Sequence, residues 1–389
     1  MAIPEHLKRN YFKAITLKKI NGTNFSGNSP PSVFVSHFGY PKVQISPVAP
    51  SEILPNSSFL DFPEQWFGFS QEEIISFRQQ LVHSTKLISI DEAKNPGNDL
   101  MKMQEIVMAE KPVTLEVDLF KRPSSEFVFS NFHAPVGLFA PMKKFELTEN
   151  PKIQAKIDYL VSDTDVLAEQ AISELYASGI PVSGIYKILS TGALGIEKNR
   201  KLIPTRWSIT ATDDTVSKQL IERVKDFQQL SEIQLFQSHY LDNHYFILLI
   251  PGSWSFEMLE CWNPSSETLP EQISADFEFF NGRKDYASEI TGAYYSARLA
   301  VTEFLVKEKL QATVLVLREI GPEYDTPLGV WQIRENARHA MQQKPMTFFD
   351  LELALKFISS KTRAGIEKYR KRSKLLDFIK NQRKLSEWN

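Results

Sequence analysis

The chain has almost no cysteine. Its 389 residues include one, Cys261, so no disulfide can form within the chain and no zinc site can be built from several of its own thiolates. So little cysteine is compatible with a reducing compartment, and we expect a cytoplasmic protein. Nothing in the composition indicates a bound metal ion or an organic cofactor, and we predict neither.

Long hydrophobic runs are also missing. The N-terminal residues MAIPEHLKRNYFKAI contain no apolar stretch of signal-peptide length,. The most apolar segment, YFILLIPGSW at residues 245–254, is short and is interrupted by Pro-Gly, so it is typical of a buried strand,. We therefore predict no association with a membrane.

There is no excess of charge of one sign. The 45 basic residues nearly balance the 47 acidic ones, which leaves a net charge of −2. Contact with nucleic acid would therefore need a local basic patch. Residues 361–389 supply one, with ten Lys or Arg against three acidic residues. This patch is either a solvated helix face or an arm for a phosphate backbone or an acidic partner.

The chain alternates helical and extended patterns, which predicts an α+β fold. In SQEEIISFRQQLVHS, Ser70 and Glu73 have the spacing of a capping box at a helix start,. Strands are predicted for GIYKILS at 184–190 and TRWSITAT at 205–212, with a helix following from Asp213,.

A boundary is predicted near residue 270, because NPSSETLPEQIS at residues 263–274 is rich in turn-forming residues,. We predict a mixed α/β domain at 1–270 and a smaller, helix-rich domain at 271–360. A basic tail at 361–389 completes the predicted organisation.

The last eight residues, QRKLSEWN, form a docking pattern. Gln382, Leu385 and Trp388 are three apart, so in a 3₁₀-like turn they lie on one side. The pattern resembles the box with which DNA-processing proteins bind the sliding clamp, PCNA, although Asn389 replaces the usual second aromatic residue. The alternative is that Trp388 packs on its own domain.

Two groups of basic residues are candidates for binding phosphate or nucleic acid. The stretch at 189–214 is either a hairpin-like connection or a phosphate-binding loop, but it lacks the Gly-Lys-Ser/Thr ending of a P-loop,. A second group sits in QIRENAR, where the alternative is a salt-bridge network with nearby glutamates. The candidates are Arg200, Lys201, Arg206, Arg334 and Arg338.

Acidic residues provide a candidate catalytic site. Asp163 and Asp165 form an Asp-x-Asp pair, and Asp213 precedes a second aspartate. Such carboxylates can hold Mg²⁺ for phosphoryl chemistry if further oxygen ligands converge on them. At the start of a helix, the same residues are ordinary caps.

Several long strings resemble the archaeal Nre family over nearly the whole chain. They are FGYPKV, DFPEQWFGFS, VSDTD, RKLIPTRWSITATDD, GAYYSARLAVTEFL, VLREI and PLGVWQIRENAR. The resemblance implies an N-terminal and a C-terminal domain, a role in DNA repair and a link to the sliding clamp. Many family members carry a cysteine-rich zinc knuckle, but the corresponding stretch here, residues 14–28, has no cysteine.

Two functions follow from these observations. The first is a DNA repair factor brought to DNA by the sliding clamp through its C-terminal residues. The second is an enzyme acting on nucleotides or nucleic acid, with a site around residues 200–214 and the Asp163/Asp165 pair. The sequence assigns neither a lesion nor a substrate.

Overall fold

The fold is described by a computed structural model that covers residues 22–263 and 272–381. Within these residues the chain forms two compact units. The first unit consists of residues 22–216 and 326–331, and the second of residues 217–325 and 332–381. Helix makes up 39% and strand 27% of the structure, so the predicted α+β class is confirmed.

The first unit contains a six-stranded sheet with the strand order β1-β5-β8-β4-β3-β2. Its strands form where apolar residues alternate, as in β5, where Val113, Leu115, Val117 and Leu119 all point into the core,. The pairings are antiparallel except for β4 with β8. The strands, with a separate β6–β7 pair, are β1 (Asn24–Ser29), β2 (Val33–Val35), β3 (Lys42–Pro50), β4 (Leu81–Ser89), β5 (Val113–Leu119), β6 (Phe127–Val128), β7 (Val136–Gly137) and β8 (Phe139–Leu147).

Six helices begin in the first unit. They are α1 (Gln71–Gln79), α2 (Asn98–Met108), α3 (Ala155–Ser162), α4 (Ala168–Ala177), α5 (Val182–Ser190) and α6 (Thr205–Lys225). Short 3₁₀ turns occur at Ser57–Asp61, Pro63–Gln65, Ile90–Lys94 and Glu197–Asn199. The capping box predicted at Ser70 is present, because the Ser70 hydroxyl accepts from Glu73 N–H and the Glu73 carboxylate accepts from Ser70 N–H.

Two predicted strands are wrong. Residues 184–190 lie in α5 and residues 205–212 form the first turns of α6, a helix of 21 residues. The stretch at 189–214 is therefore not a hairpin between strands but a connection between two helices. Ile185, Ile188 and Leu189 are all buried, and this spacing of three and four residues is that of a helix packed on a core.

The second unit is built on another six-stranded sheet, with the order β13-β12-β15-β11-β10-β16. All eight residues of β15 are buried, as expected for a central strand covered on both faces. It pairs in parallel with β12 and antiparallel with β11. The strands, with a separate β9–β14 pair, are β9 (Gln228–Gln229), β10 (Ile233–Tyr240), β11 (Asn243–Ile250), β12 (Ser255–Trp262), β13 (Gln272–Glu278), β14 (Leu310–Gln311), β15 (Thr313–Ile320) and β16 (Met346–Phe348).

The later helices are α7 (Gly292–Glu308), α8 (Trp331–Gln342), α9 (Leu351–Ser359), α10 (Ile366–Arg372) and α11 (Lys374–Asn381). Residues 361–381, the described part of the basic C-terminal segment, belong to the second unit. Ile366, Tyr369 and Leu375 belong to the apolar core beside the sheet. The buried carboxylate of Glu257 accepts hydrogen bonds from the Ser373 hydroxyl and from the N–H groups of residues 374 and 375.

The division into units does not coincide with the boundary predicted near residue 270. Strands β12 and β13 lie on either side of that position and pair with each other, with Trp262 opposite Gln272. The domain boundary near residue 270 stays a prediction. Among the described helices, none has both the length and the apolar character that a membrane crossing requires.

Candidate nucleic-acid interface

Three large aromatic side chains of the first unit are exposed close to an arginine. Phe38 is 69% exposed, Tyr40 48% and Trp207 45%. Together with His37 and Arg206 they form what we call the aromatic–arginine surface. Side chains of this kind are unusual on a solvated face because exposing them forgoes the favourable burial of apolar area.

The fold fixes this surface from two parts of the chain. His37, Phe38 and Tyr40 lie in the turn between β2 and β3, where Gly39 has φ +81° and so adopts a backbone conformation that suits glycine,. Trp207 lies in the first turn of α6. The two parts are joined where β2 ends, since the N–H of Val35 donates to the Thr205 hydroxyl over 2.9 Å.

The rings of the surface contact one another in pairs, and Arg206 contacts His37 and Phe132. Tyr40 and Trp207 meet edge to face with ring centroids 5.4 Å apart, and His37 lies 4.0 Å from Phe38 between centroids. The guanidinium of Arg206 lies 4.0 Å from the centroid of Phe132. These contacts hold the aromatic faces and the charge in one arrangement.

His37 accepts a hydrogen bond from Arg206. The Arg206 Nη1 to His37 Nε2 distance is 3.2 Å, and an arginine can only donate. Burial lowers the pKa of His37, and the charge of Arg206 lowers it further. The imidazole is therefore neutral at pH 7 and orients the guanidinium without repelling it.

The remaining predicted basic residues of this stretch differ in their surroundings. Lys201 is exposed. The neighbouring Leu202 N–H donates to Ile90 O, and Ile90 N–H donates to Pro41 O, which links Lys201 to the turn that carries Tyr40. The guanidinium of Arg200 instead donates hydrogen bonds of 2.8–3.1 Å to the main-chain carbonyls of Val161, Asp163 and Gly195. These hydrogen bonds stabilise the conformation of the loop that contains Arg200.

The predicted acidic residues are in three different settings. The Asp163 carboxylate accepts from the N–H groups of Asp165 and Val166 at 3.0 and 3.1 Å, so it closes a turn. Asp165 is exposed, whereas Asp213 is fully buried within α6. Asp163 does not cap α4, which begins after Leu167.

Arg334 and Arg338 share one helix, α8, as the spacing predicts. Arg334 is 1% exposed. Arg338 holds the carboxylate of Glu303 with two hydrogen bonds of 2.8 and 2.6 Å and that of Glu335 with a third of 2.8 Å. Arg338 therefore forms a salt-bridge network with glutamates, which the sequence offers as the alternative to phosphate binding at QIRENAR.

The docking residues Gln382, Leu385 and Trp388 lie outside the described part of the chain. The helices that precede them carry exposed cations. These are Lys368, Lys371, Lys374 and Lys380. In the sequence, these exposed lysines directly precede the docking pattern, together with the exposed acids Glu367 and Asp377.

Sequence reasoning missed the aromatic residues of the surface. Phe38 and Tyr40 lie in a Gly- and Pro-containing turn, and Trp207 was placed in a predicted strand. Aromatic residues inside a turn motif are an available signal, because turns lie at the surface.

Comparison with known proteins agrees with the resemblance. Residues 5–267 match the family model described as "Archaeal Nre, N-terminal", and residues 278–388 match "Archaeal Nre, C-terminal". No solved structure matches the chain.

Three curated relatives carry similar names. The "DNA repair protein NreB" of Archaeoglobus fulgidus is 36% identical over 365 residues, 93% of this chain and 90% of that protein. The "DNA repair protein NreA" of the same organism is 36% identical, covering 84% of this chain and 82% of the relative. That of Haloferax volcanii is 34% identical, covering 83% and 79%. The two family matches together span most of the sequence, and the chain belongs to the archaeal Nre family.

Proposed function

We propose that this protein is a DNA repair factor that contacts DNA itself and is recruited to it by the sliding clamp. The repair role is supported by three relatives at 34–36% identity, all named DNA repair proteins. Each alignment covers about four fifths or more of both chains, so the likeness concerns the whole protein and not a single module.

Direct contact with DNA rests on the aromatic–arginine surface. Bases stack on exposed aromatic rings whatever their sequence, and an arginine adds attraction to a base face or a phosphate. Phe38, Tyr40 and Trp207 present such rings. Arg206 precedes Trp207 in the chain and contacts His37, whose ring packs on Phe38. Duplex DNA keeps its base faces covered, so this surface suits single-stranded or unpaired nucleotides.

Recruitment by the clamp rests on the C-terminal docking pattern. Leu385 and Trp388 would form one apolar plug for a pocket of the clamp, and Gln382 would hydrogen-bond at its rim. A tryptophan in a desolvated pocket is a typical hot spot of binding energy. Helix α11, which directly precedes Gln382 in the sequence, carries Lys374 and Lys380 against Asp377, and its lysines can contact a nearby phosphate backbone,.

The second candidate is an enzyme with a site at residues 200–214 and Asp163/Asp165. The positions of these side chains support an enzyme less well than they support a repair factor. The Arg200 guanidinium donates to main-chain carbonyls, and the Asp163 carboxylate accepts from main-chain N–H groups of its own turn. A phosphoryl-transfer site needs these groups directed at one reacting centre.

The DNA-binding proposal is tested by fluorescence anisotropy with a labelled oligothymidylate and the full chain. Trp207→Ala should weaken binding about tenfold or more, since stacking on an aromatic side chain is worth about 1–3 kcal/mol per base. Trp207→Phe keeps a ring and should recover much of the affinity. Phe38→Ala should act in the same direction.

Phe120→Ala is the matched control, because Phe120 is also 69% exposed and lies in a different loop of the same unit. Its affinity should equal that of the unchanged protein. If Trp207→Ala and Phe120→Ala bind the oligonucleotide alike, the aromatic–arginine surface is not the contact.

A further inference from the structure

A tight hairpin in the second unit brings two histidines together. Strand β10 ends at Tyr240 and β11 begins at Asn243, so the turn consists of Leu241 and Asp242 alone. Both turn residues have positive φ, 52° and 50°, as in the type I′ turn that suits the twist of a hairpin.

His239 and His244 are direct partners across this hairpin. Side chains of opposed residues lie on the same face of a sheet. Their rings are stacked, with centroids 3.9 Å apart and planes inclined by 24°. Nitrogen lone pairs lie in the ring planes, so the exposed ring of His239 must turn out of this stack for both histidines to bind one ion.

The Asp242 carboxylate is fixed beside them. Its Oδ2 accepts from the N–H of Glu323 at 2.8 Å, and the main-chain carbonyl of Asp242 accepts from Gly321 N–H at 2.7 Å. Gly321 leaves room for the carboxylate, since a Cβ there would lie 2.0 Å from Oδ2. The other oxygen, Oδ1, lies 3.9 Å from His239 Nε2.

We propose that His239, Asp242 and His244 bind one divalent transition-metal ion, with Zn²⁺ as the best match to their chemistry. One ligand atom from each residue lies within 4.8 Å of the others. Tetrahedral bonds of about 2.0–2.1 Å place ligand atoms roughly 3.3 Å apart. Exposed His239 can rotate to close that gap, while Asp242 is already held.

Two imidazoles and one carboxylate suit Zn²⁺ better than Mg²⁺, which prefers oxygen ligands throughout. Three protein ligands leave one tetrahedral position for water or for an atom of a bound partner. This is the arrangement of zinc sites with an accessible metal, whereas purely structural sites take four protein ligands.

The test is calorimetric titration of Zn²⁺ into the full, untagged chain after treatment with a chelator. We expect one ion per chain, and at least about tenfold weaker binding in His239→Ala and in Asp242→Asn. His339→Ala, a histidine elsewhere on the same unit, is the control and should bind like the unchanged protein.

Cobalt provides a second measurement. Co²⁺ in the site should give the intense visible absorption of a tetrahedral ion, and His244→Gln should abolish it while melting curves show whether the hairpin is still folded. Gly321→Ala should weaken binding by displacing the Asp242 carboxylate. Zn²⁺ affinity that is unchanged in His239→Ala and Asp242→Asn would overturn the proposal, as would the absence of stoichiometric binding.

Discussion

Arg298 and Glu278 form an ion pair inside the second unit, with Nη1 and Oε2 2.7 Å apart and side chains only 1% and 2% exposed. Two further hydrogen bonds from Arg298 reach the hydroxyl of Ser217 at 3.1 and 2.9 Å. Arg298 lies in helix α7. It thus links this helix to Glu278 in strand β13 and to Ser217 at the start of the unit.

Removing one partner should destabilise the fold strongly. Arg298→Ala leaves a buried carboxylate without its cation, which costs about 3–5 kcal/mol. Urea unfolding measures the difference. Arg372→Ala is the control, since its pair with Glu289 is about half exposed and should contribute at most about 1 kcal/mol.

Stability should fall as the pH is lowered from about 6.5 towards 4. Burial lowers the pKa of His83 to about 3 and that of His133 to about 4. In this range the unfolded chain takes up protons that the folded chain does not, so the free energy of unfolding rises with pH by at most about 1.4 kcal/mol per unit for each histidine, most steeply near pH 5.

Urea titrations at several pH values, with His83→Leu and His133→Leu, measure this dependence. His83 Nε2 is buried without a hydrogen-bond partner among the described residues, and Nδ1 makes a long contact of 3.4 Å with the Ser46 hydroxyl. Replacing His83 should therefore reduce the slope and, apart from this contact, remove no hydrogen bond that its ring makes within residues 22–263 and 272–381. A flat stability curve between pH 6.5 and 4.5 would contradict the assignment.

The last helices should be needed for folding, whereas the docking residues should not. A chain ending at Ser360 loses the core residues Ile366, Tyr369 and Leu375 and leaves the Glu257 carboxylate without its donors. We expect a loss of at least about 3 kcal/mol, given about 1.5–3 kcal/mol for each large apolar side chain. A chain ending at Asn381 should melt like the full protein; equal melting of both truncations would contradict this prediction.

Clamp binding should depend on Trp388. Trp388→Ala or Leu385→Ala should lower the affinity for the sliding clamp at least about tenfold, because truncating a hot spot costs about 2 kcal/mol or more. Calorimetry with purified clamp measures this, and melting curves serve as the control. Equal affinities would remove the docking proposal, and a large fall in melting temperature would show that Trp388 belongs to the fold.

Local signals predicted some elements well because the interactions that form them are local. The capping box at Ser70 joins residues three apart, and the apolar segment at 245–254, predicted as a buried strand, supplies residues 245–250 of β11, all of which are buried. The segment 205–212 was predicted wrongly. Its Trp, Ile and Thr residues favour strands, but propensity is weak, and here packing along a 21-residue helix decides,.

The candidate sites depend on contacts between distant residues, which no spacing reveals. Nothing in the sequence shows that Arg200 would reach three main-chain carbonyls or that Arg338 would hold Glu303. His239 and His244 were also missed as a pair. Their closeness requires a turn of only two residues, Leu241 and Asp242, and neither Leu nor Asp is the glycine that signals such a turn,.

The pairing of β12 with β13 has a consequence for how the family can diverge. Trp262 and Gln272 face each other at the end of the ladder, so the hydrogen bonds of the sheet are complete on both sides of residues 264–271. Insertions and deletions at this position should therefore be tolerated in evolution, and differences in length between relatives should accumulate there while the strands on either side keep their register.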